Sequence, residues 1–384
     1  MNASSPPTIL QVLPGLETGG VERGAIDMAL AIQAAGWRAI VASEGGRMKR
    51  ELDRAGVLHV ALPLSSKNPL VMRANAKRLT RLIAEEKVSL VHARSRAPAW
   101  SAEAAARAAG VPFVTTFHGT YGLGPFGLKK RYNAVMTHGV RVIAISEFIR
   151  SHIVANYPID ETIIRVVPRG VDLGVFNPSK VSQDRMIALS TKWRLPDGVP
   201  VVMLPGRLTR WKGQILLLQA LALIKDELSF QGVLVGDDQG RTAYRQEIEE
   251  TAARLGLGGR VSLVGDCQDM ASAYMLADVV VSASLEPEAF GRVAAEGLAM
   301  GRPVVVPDHG GGPEIVEDRV TGWQFAAGNA ASLADALRAA LTIAPKARAD
   351  MAARAVAVAR SRFGKERMTA QTLAVYREAL GLTD

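Results

Sequence analysis

The chain carries one cysteine, Cys267, in 384 residues, so no disulfide can close within it, and that usage fits a reducing compartment. Aromatic side chains make up only 5% of it, while 48% is hydrophobic. Ala, Val, Leu and Gly therefore supply the core, which suits helices packed on parallel strands and not a β-sandwich. No 18 consecutive apolar residues occur, so no membrane-spanning helix is expected. The opening stretch, MNASSPPTILQVL, lacks the basic segment and apolar run of a signal peptide, and a cytoplasmic location is expected. His, Cys and Asp do not recur at zinc-ligand spacings and no D-x-D element is present, so neither a required metal nor a cofactor is expected.

What is present is distributed unevenly. Of the net charge of +9, residues 1–176 hold 22 Lys+Arg against 13 Asp+Glu, whereas residues 177–384 hold 24 of each. A basic first half suggests an anionic partner there: a membrane surface, a nucleic acid or a phosphorylated acceptor. A generally basic proteome is the plainer explanation, and no nucleic-acid-binding module is recognisable, so nucleic acid is not among the expected partners.

Strand-like and helix-like segments alternate along the chain. TILQVLP, WRAIVAS, VSLVHAR, VPFVTTFHG, RVIAIS and IIRVVPRGVD read as buried strands separated by Ala-rich helices. After the polar FNPSKVSQ the pattern restarts with VPVVMLPGR, FQGVLVGD, RVSLVGD, DVVVSAS and RPVVVPD. Two βα series imply an α/β protein of two doubly wound, Rossmann-like domains facing each other across a cleft. The boundary is expected near residues 177–195. It is taken at 180/181, which gives an acceptor-side domain over 1–180 and a donor domain over 181–384 whose last helix returns to the first domain.

In such sheets ligands gather beyond the carboxyl ends of the strands, and the distinctive residues of this chain cluster there. EPEAFGRVAAEGLAMGRPVVV (286–306) places Glu288 before a helix start and Glu296 inside an otherwise apolar helix. The unpaired N–H groups of Gly291, Arg292 and Val293 suit a pyrophosphate, with Phe290 beside them. Glu288 is placed for sugar hydroxyls and Glu296 for ribose hydroxyls. A helix dipole alone would favour an acid at 288, but it gives no reason for one at 296, where burying an unpaired charge is costly. GRLTRWKG (206–213) adds Arg207 and Lys212, two cations for a diphosphate at a strand's carboxyl end, while Arg210 is expected to face solvent.

The E-x7-E pair, followed by Met300-Gly301-Arg302-Pro303-Val304, resembles the donor-site signature of the retaining glycosyltransferases of family four. These have the GT-B fold and include makers of bacterial cell-surface glycans. The resemblance continues in GGGPEIV (310–316), TGW (321–323), GRLTRWKG, FHG (117–119), GVD (170–172) and GGVE (19–22), and so spans nearly the whole chain. It implies metal-independent transfer of a sugar from a nucleoside diphosphate to a glycan or lipid-linked acceptor, with retention of anomeric configuration. It further implies that Arg207 and Lys212 stabilise the leaving diphosphate and that the Gly19-Gly20 backbone approaches the donor. His118 would line the site, orienting and not deprotonating, and Asp266 and Cys267 would lie beside the base. His118, Glu288, Arg207 and Lys212 form the expected catalytic set. One departure is Arg169, where the family often has Asn.

A nucleotide-sugar epimerase of the same fold and a non-catalytic sugar-nucleotide binder remain alternatives. Basic and apolar residues mix in TYGLGPFGLKKRY (120–132), which holds Lys129, Lys130 and Arg131. They mix again in RANAKRLTRL, where Arg73, Lys77 and Arg81 recur every four residues. Both stretches suit an anionic membrane face, and hence a peripheral enzyme of cell-envelope polysaccharide or lipopolysaccharide synthesis.

Overall fold

The β-branched runs become two all-parallel sheets in the structure, a computed structural model that describes residues 6–17 and 19–382. Residues 1–5 of the opening stretch and Thr18 of the ETGG loop lie outside the described residues. The first sheet contains β1 (Thr8–Val12), β2 (Arg38–Ser43), β3 (Leu58–Ala61), β4 (Leu90–Ala93), β5 (Phe113–Phe117), β6 (Arg141–Ala144) and β7 (Ile164–Val166). Its order is β3-β2-β1-β4-β5-β6-β7. The second contains β8 (Val201–Pro205), β9 (Gln231–Val235), β10 (Val261–Gly265), β11 (Val279–Val281), β12 (Val304–Pro307) and β13 (Gly322–Phe325), in the order β10-β9-β8-β11-β12-β13. Each sheet reverses its direction of growth once, between β1 and β4 and between β8 and β11. Loops part at such a switch point and leave a crevice at the strands' carboxyl ends.

Apolar helices close each sheet. The helix Gln214–Ile224 buries Leu216, Leu217, Leu218, Leu221 and Ile224 against the second sheet. Each fully buried Leu or Ile contributes about 1.5–3 kcal/mol, so this helix is fixed by packing and not by its propensity. No helix among the described residues is long and apolar enough to cross a membrane.

The chain divides into a unit of Met1–Gly170 with Lys365–Asp384 and a unit of Val171–Gly364. The first crossing thus falls at 170/171 and not at 180/181, because β7 is the last strand of the first sheet and Val171 already pairs with Gly364. The second unit stops at Gly364, and the helix Lys365–Leu380 counts with the first. Its Tyr376 hydroxyl is buried 2.6 Å from His92 Nδ1 on β4, and its Glu378 pairs with Arg165 and, at 2.8 Å, with Arg141.

Candidate functional site

In the second unit the loops leaving β8 and β11 meet at the switch point. Leu285 N donates to Trp211 O at 2.7 Å across them. Gly213 permits this approach: its φ is +72°, and a Cβ there would stand 1.9 Å from the Ala283 carbonyl oxygen. The approach brings Lys212 Nζ to within 2.7 Å of Glu288 Oε1 and 4.3 Å from the Trp211 ring centre. Ser282 and Ser284, at the end of β11, also donate to Glu288 Oε1, at 3.2 and 2.5 Å. Burial pushes the Glu288 carboxyl up, but the Lys212 charge and the three donors outweigh it and hold it below the ordinary value.

Three residues beyond Glu288, Gly291 precedes the helix Arg292–Ala299, and no side chain caps its first N–H groups. Those groups and the dipole favour an anion in front of them. Glu288, Ser282, Gly291, Gly312 and His309 line one cavity there. Both His309 ring nitrogens are buried and have no hydrogen-bond partner among the described residues. An unpaired imidazole offers one donor and one acceptor, the complement of a hydroxyl. Sequence reasoning passed over His309, although it immediately precedes the glycine run already singled out. It also passed over Ser282 and Ser284, which alternate at the end of VVVSAS.

The structure sorts the other expected residues. Glu296 is largely buried; Tyr274 donates to it at 2.8 Å and Arg292 lies 3.6 Å away. Its carboxyl sits above the ordinary range, because burial outweighs both partners. Phe290 is 4% exposed and meets the Phe363 ring edge-on at 5.7 Å, so any ligand contact it makes runs through its backbone. Val293 is half-buried in the first turn of the helix. Arg207 is exposed at the end of β8, with no hydrogen bond or ion pair of its guanidinium among the described residues. Arg210 faces solvent as expected, its side chain 71% exposed, and there pairs with Glu247 at 2.5 Å, over the Tyr244 ring. Asp266 and Cys267 follow β10, two strands from β8 at the sheet's edge, and are not in the lining of the cavity at Glu288. Burial pushes the Cys267 thiol up, which suits a spectator.

In the first unit a second cluster forms at the strand ends. Gly19 precedes the helix Gly20–Ala34, and the Gly20 carbonyl accepts from Arg169 Nη1. Arg169 Nη2 lies 2.9 Å from His118 Nδ1, at the end of β5. A guanidinium only donates, so Nδ1 is the acceptor and the proton of the neutral ring sits on Nε2. Nε2 is buried without a partner among the described residues. Burial, then Arg169, Arg94 and His92, hold the His118 pKa well below 6.5. His118 is therefore a neutral donor at its free edge and not a base. Burial keeps the ring neutral, and its partner Arg169, which the sequence marks as a departure, fixes which nitrogen carries the proton.

Two doubly wound units with this strand order define a protein of the GT-B class. Residues 18–175 match Glycosyltransferase Family 4 and residues 187–357 match Glycosyl transferases group 1. A crystal structure of a glycosyltransferase from Rickettsia africae is 35% identical, with a TM-score of 0.92 over 99% of this chain and 100% of that one. Anabaena Alr3699/HepE, crystallised in complex with UDP and glucose, is 25% identical, with a TM-score of 0.82 over 97% of this chain and 100% of that one. The D-inositol 3-phosphate glycosyltransferase of Xylanimonas cellulosilytica is 36% identical over 230 residues, 59% of this chain and 54% of that protein. The chain spans about half the length of the curated relatives it matches. This chain belongs to the family-four glycosyltransferases.

Proposed function

We propose that the protein transfers a sugar from a nucleoside-diphosphate sugar to an acceptor hydroxyl, with retention at the anomeric carbon and without a required metal. The observation that carries this is the Lys212–Glu288 pair at the β8/β11 switch point, beside an uncapped helix N-terminus. Lys212 and Arg207 supply positive charge to the departing diphosphate, and the N–H groups at 291–293 add the helix dipole. Glu288 and His309 face the sugar hydroxyls. Glu296, fixed by Tyr274, takes the ribose. The C1–oxygen bond to the diphosphate breaks, the bond to the acceptor oxygen forms on the same face, and the departing phosphate oxygen takes the acceptor's proton. His118 needs no lone pair in this route; its Nε2–H holds a substrate oxygen in place. Asp266 and Cys267 are assigned to the base side, and Gly19 and Gly20 to the donor side through their backbone.

The acceptor is placed at a membrane surface, in cell-envelope polysaccharide or lipopolysaccharide synthesis. Supporting this, the helix Pro69–Glu85 exposes Leu70, Arg73, Lys77 and Arg81, and the segment 125–131 exposes Phe126, Leu128, Lys129 and Arg131. Both flank the helix Arg96–Ala109, where Ser101 Oγ donates to Met72 O at 2.9 Å and Trp100 Nε1 to Tyr132 O at 3.1 Å. Aliphatic and cationic groups side by side suit an anionic headgroup layer, each cation contributing about 1 kcal/mol there.

Incubation with UDP-, GDP- and ADP-sugars tests the reaction, beginning with UDP-glucose because Alr3699/HepE was crystallised with UDP and glucose. Acceptor-dependent release of nucleoside diphosphate is expected. Acceptor-free interconversion of the donor sugar would assign an epimerase instead, and binding without turnover a non-catalytic binder.

A further inference from the structure

We propose that the cavity at the ends of β4 and β5 holds an anionic oxygen group, phosphoryl or carboxyl, of the acceptor, with Arg94 as its principal ligand; only the word acceptor rests on the transfer reading above. Gly24, His92, Arg94, Thr116, His118 and Arg169 line this cavity, and no Asp or Glu does among the described residues. Arg94 is 6% exposed, a cation set in the wall of a sheet core. Its Nη1 donates to Gln11 Oε1 at 3.0 Å, and its Nε is buried without a partner. Among the described residues the carboxylate that acts on it is Asp27, which also lies 3.8 Å from Arg23.

The surroundings are arranged to present this guanidinium. Gln11 Nε2 donates to Ala25 O at 2.9 Å, which turns the amide oxygen towards Arg94. Gly24 lies mid-helix, and a Cβ there would stand 2.9 Å from Arg94 Nη2, so the missing side chain keeps the space open. His118 turns its Nε2–H to the same wall, because Arg169 occupies Nδ1. His92 lies between the hydroxyls of Tyr376 and Thr116, at 2.6 and 2.7 Å, and has no nitrogen left for a ligand.

The charged and imidazole groups facing the space, Arg94, Arg169 and the His118 Nε2–H, are thus donors, and the Thr116 and Thr372 hydroxyls complete the polar lining. A phosphate or carboxylate oxygen brings lone pairs only and so meets the Arg94 guanidinium and the His118 Nε2–H without a proton to place, whereas a sugar hydroxyl would need one of the threonine oxygens to take its proton. A buried cation lacking a bonded carboxylate is costly to keep unless an anion arrives to meet it. A guanidinium fork is also the geometry that binds such anions through two parallel bonds.

The test titrates inorganic phosphate, and separately acetate, into the full chain at constant ionic strength, with thermal stability and calorimetry as readouts. Wild type, Arg94→Gln, Gly24→Ala and Lys212→Ala are compared. Saturable stabilisation is expected in wild type and in Lys212→Ala, weakened at least about tenfold in Arg94→Gln and in Gly24→Ala. Gly24→Ala keeps the charge and displaces the guanidinium, so it reads the site even where Arg94→Gln does not fold. Preference between phosphate and acetate identifies the group. No stabilisation beyond that from chloride would overturn the proposal, as would loss in Lys212→Ala with retention in Arg94→Gln. A parallel titration of wild type with UDP, GDP and ADP separates the two readings: failure of all three removes the nucleotide-sugar donor and leaves the anion site standing.

Discussion

Lys212 Nζ and Glu288 Oε1 lie 2.7 Å apart, with their side chains only 14% and 16% exposed. A pair this sheltered is one in which each charge depends on the other. Lys212→Met therefore strands a buried carboxylate and removes a diphosphate contact together. Turnover should fall about a hundredfold or more, and near-normal turnover would exclude Lys212 from the site. The pH dependence should change sign as well. In wild type the Glu288 pKa is depressed, so its contribution to stability is present above the ordinary value of 4.5 and is lost as pH falls through the lower folded pKa. Without Lys212, burial dominates, and the contribution is lost on raising pH instead. Denaturant titrations between pH 3 and pH 7, on the order of half-unit steps, would show it.

Glu296 behaves oppositely. Its pKa is raised by burial, so its ionisation works against the fold as pH rises through the Glu range. Glu296→Gln keeps an acceptor for the Tyr274 hydroxyl and should match or exceed wild-type stability at neutral pH. Nucleotide affinity should nevertheless fall about tenfold, as for one lost charged hydrogen bond. Calorimetric titration with the nucleoside diphosphate decides it: unchanged affinity would leave Glu296 with a structural role only.

His118 should stay uncharged, with its proton on Nε2, throughout the neutral range. Since its folded pKa lies well below 6.5, the unfolded chain takes up the proton first, and stability declines as pH falls through that value. His118→Gln should flatten this decline while retaining a donor towards the cavity. Nitrogen-15 NMR of the imidazole reads both tautomer and titration. A midpoint near 6.5 would contradict the assignment.

Retention is checked on the first-formed product. Its anomeric proton coupling should match that of the donor sugar, and an inverted linkage would rule out same-face displacement.

Membrane association is tested by sedimentation with vesicles of anionic lipid. Wild type should pellet with them and be released by salt. Phe126→Ser with Lys129→Glu and Arg131→Glu should stay in solution. Equal behaviour with neutral vesicles would favour a soluble acceptor.

Most of the fold was legible because buried parallel strands read as unbroken apolar runs, as in DVVVSAS and RPVVVPD. The strands that escaped notice, β3 and β13, sit at the sheet edges. LHVA and GWQF are only four residues each, and β3 is partly exposed along its length, so neither concentrates enough apolar residues to stand out. At the site, residues aligned by a single loop could be found, as Glu288 and Lys212 were. Those whose role arises from a partner distant in sequence could not. Nothing near position 94 announces that Gln11 and Gly24 shape its surroundings, and nothing near His118 announces that Arg169 fixes its proton.

The bond between Tyr376 and His92 also orders events in time. On the ribosome every strand of the first sheet is made before residue 170, yet the helix that covers it emerges only after the whole of 171–364. Until then His92 lacks its Tyr376 partner, and the apolar flank that Leu373, Val375 and Tyr376 pack against is open. The first half to be synthesised is thus the last to be finished, and the second unit is able to fold while the first is still waiting. A nascent chain halted before residue 365 would carry a bare sheet surface of the kind chaperones hold.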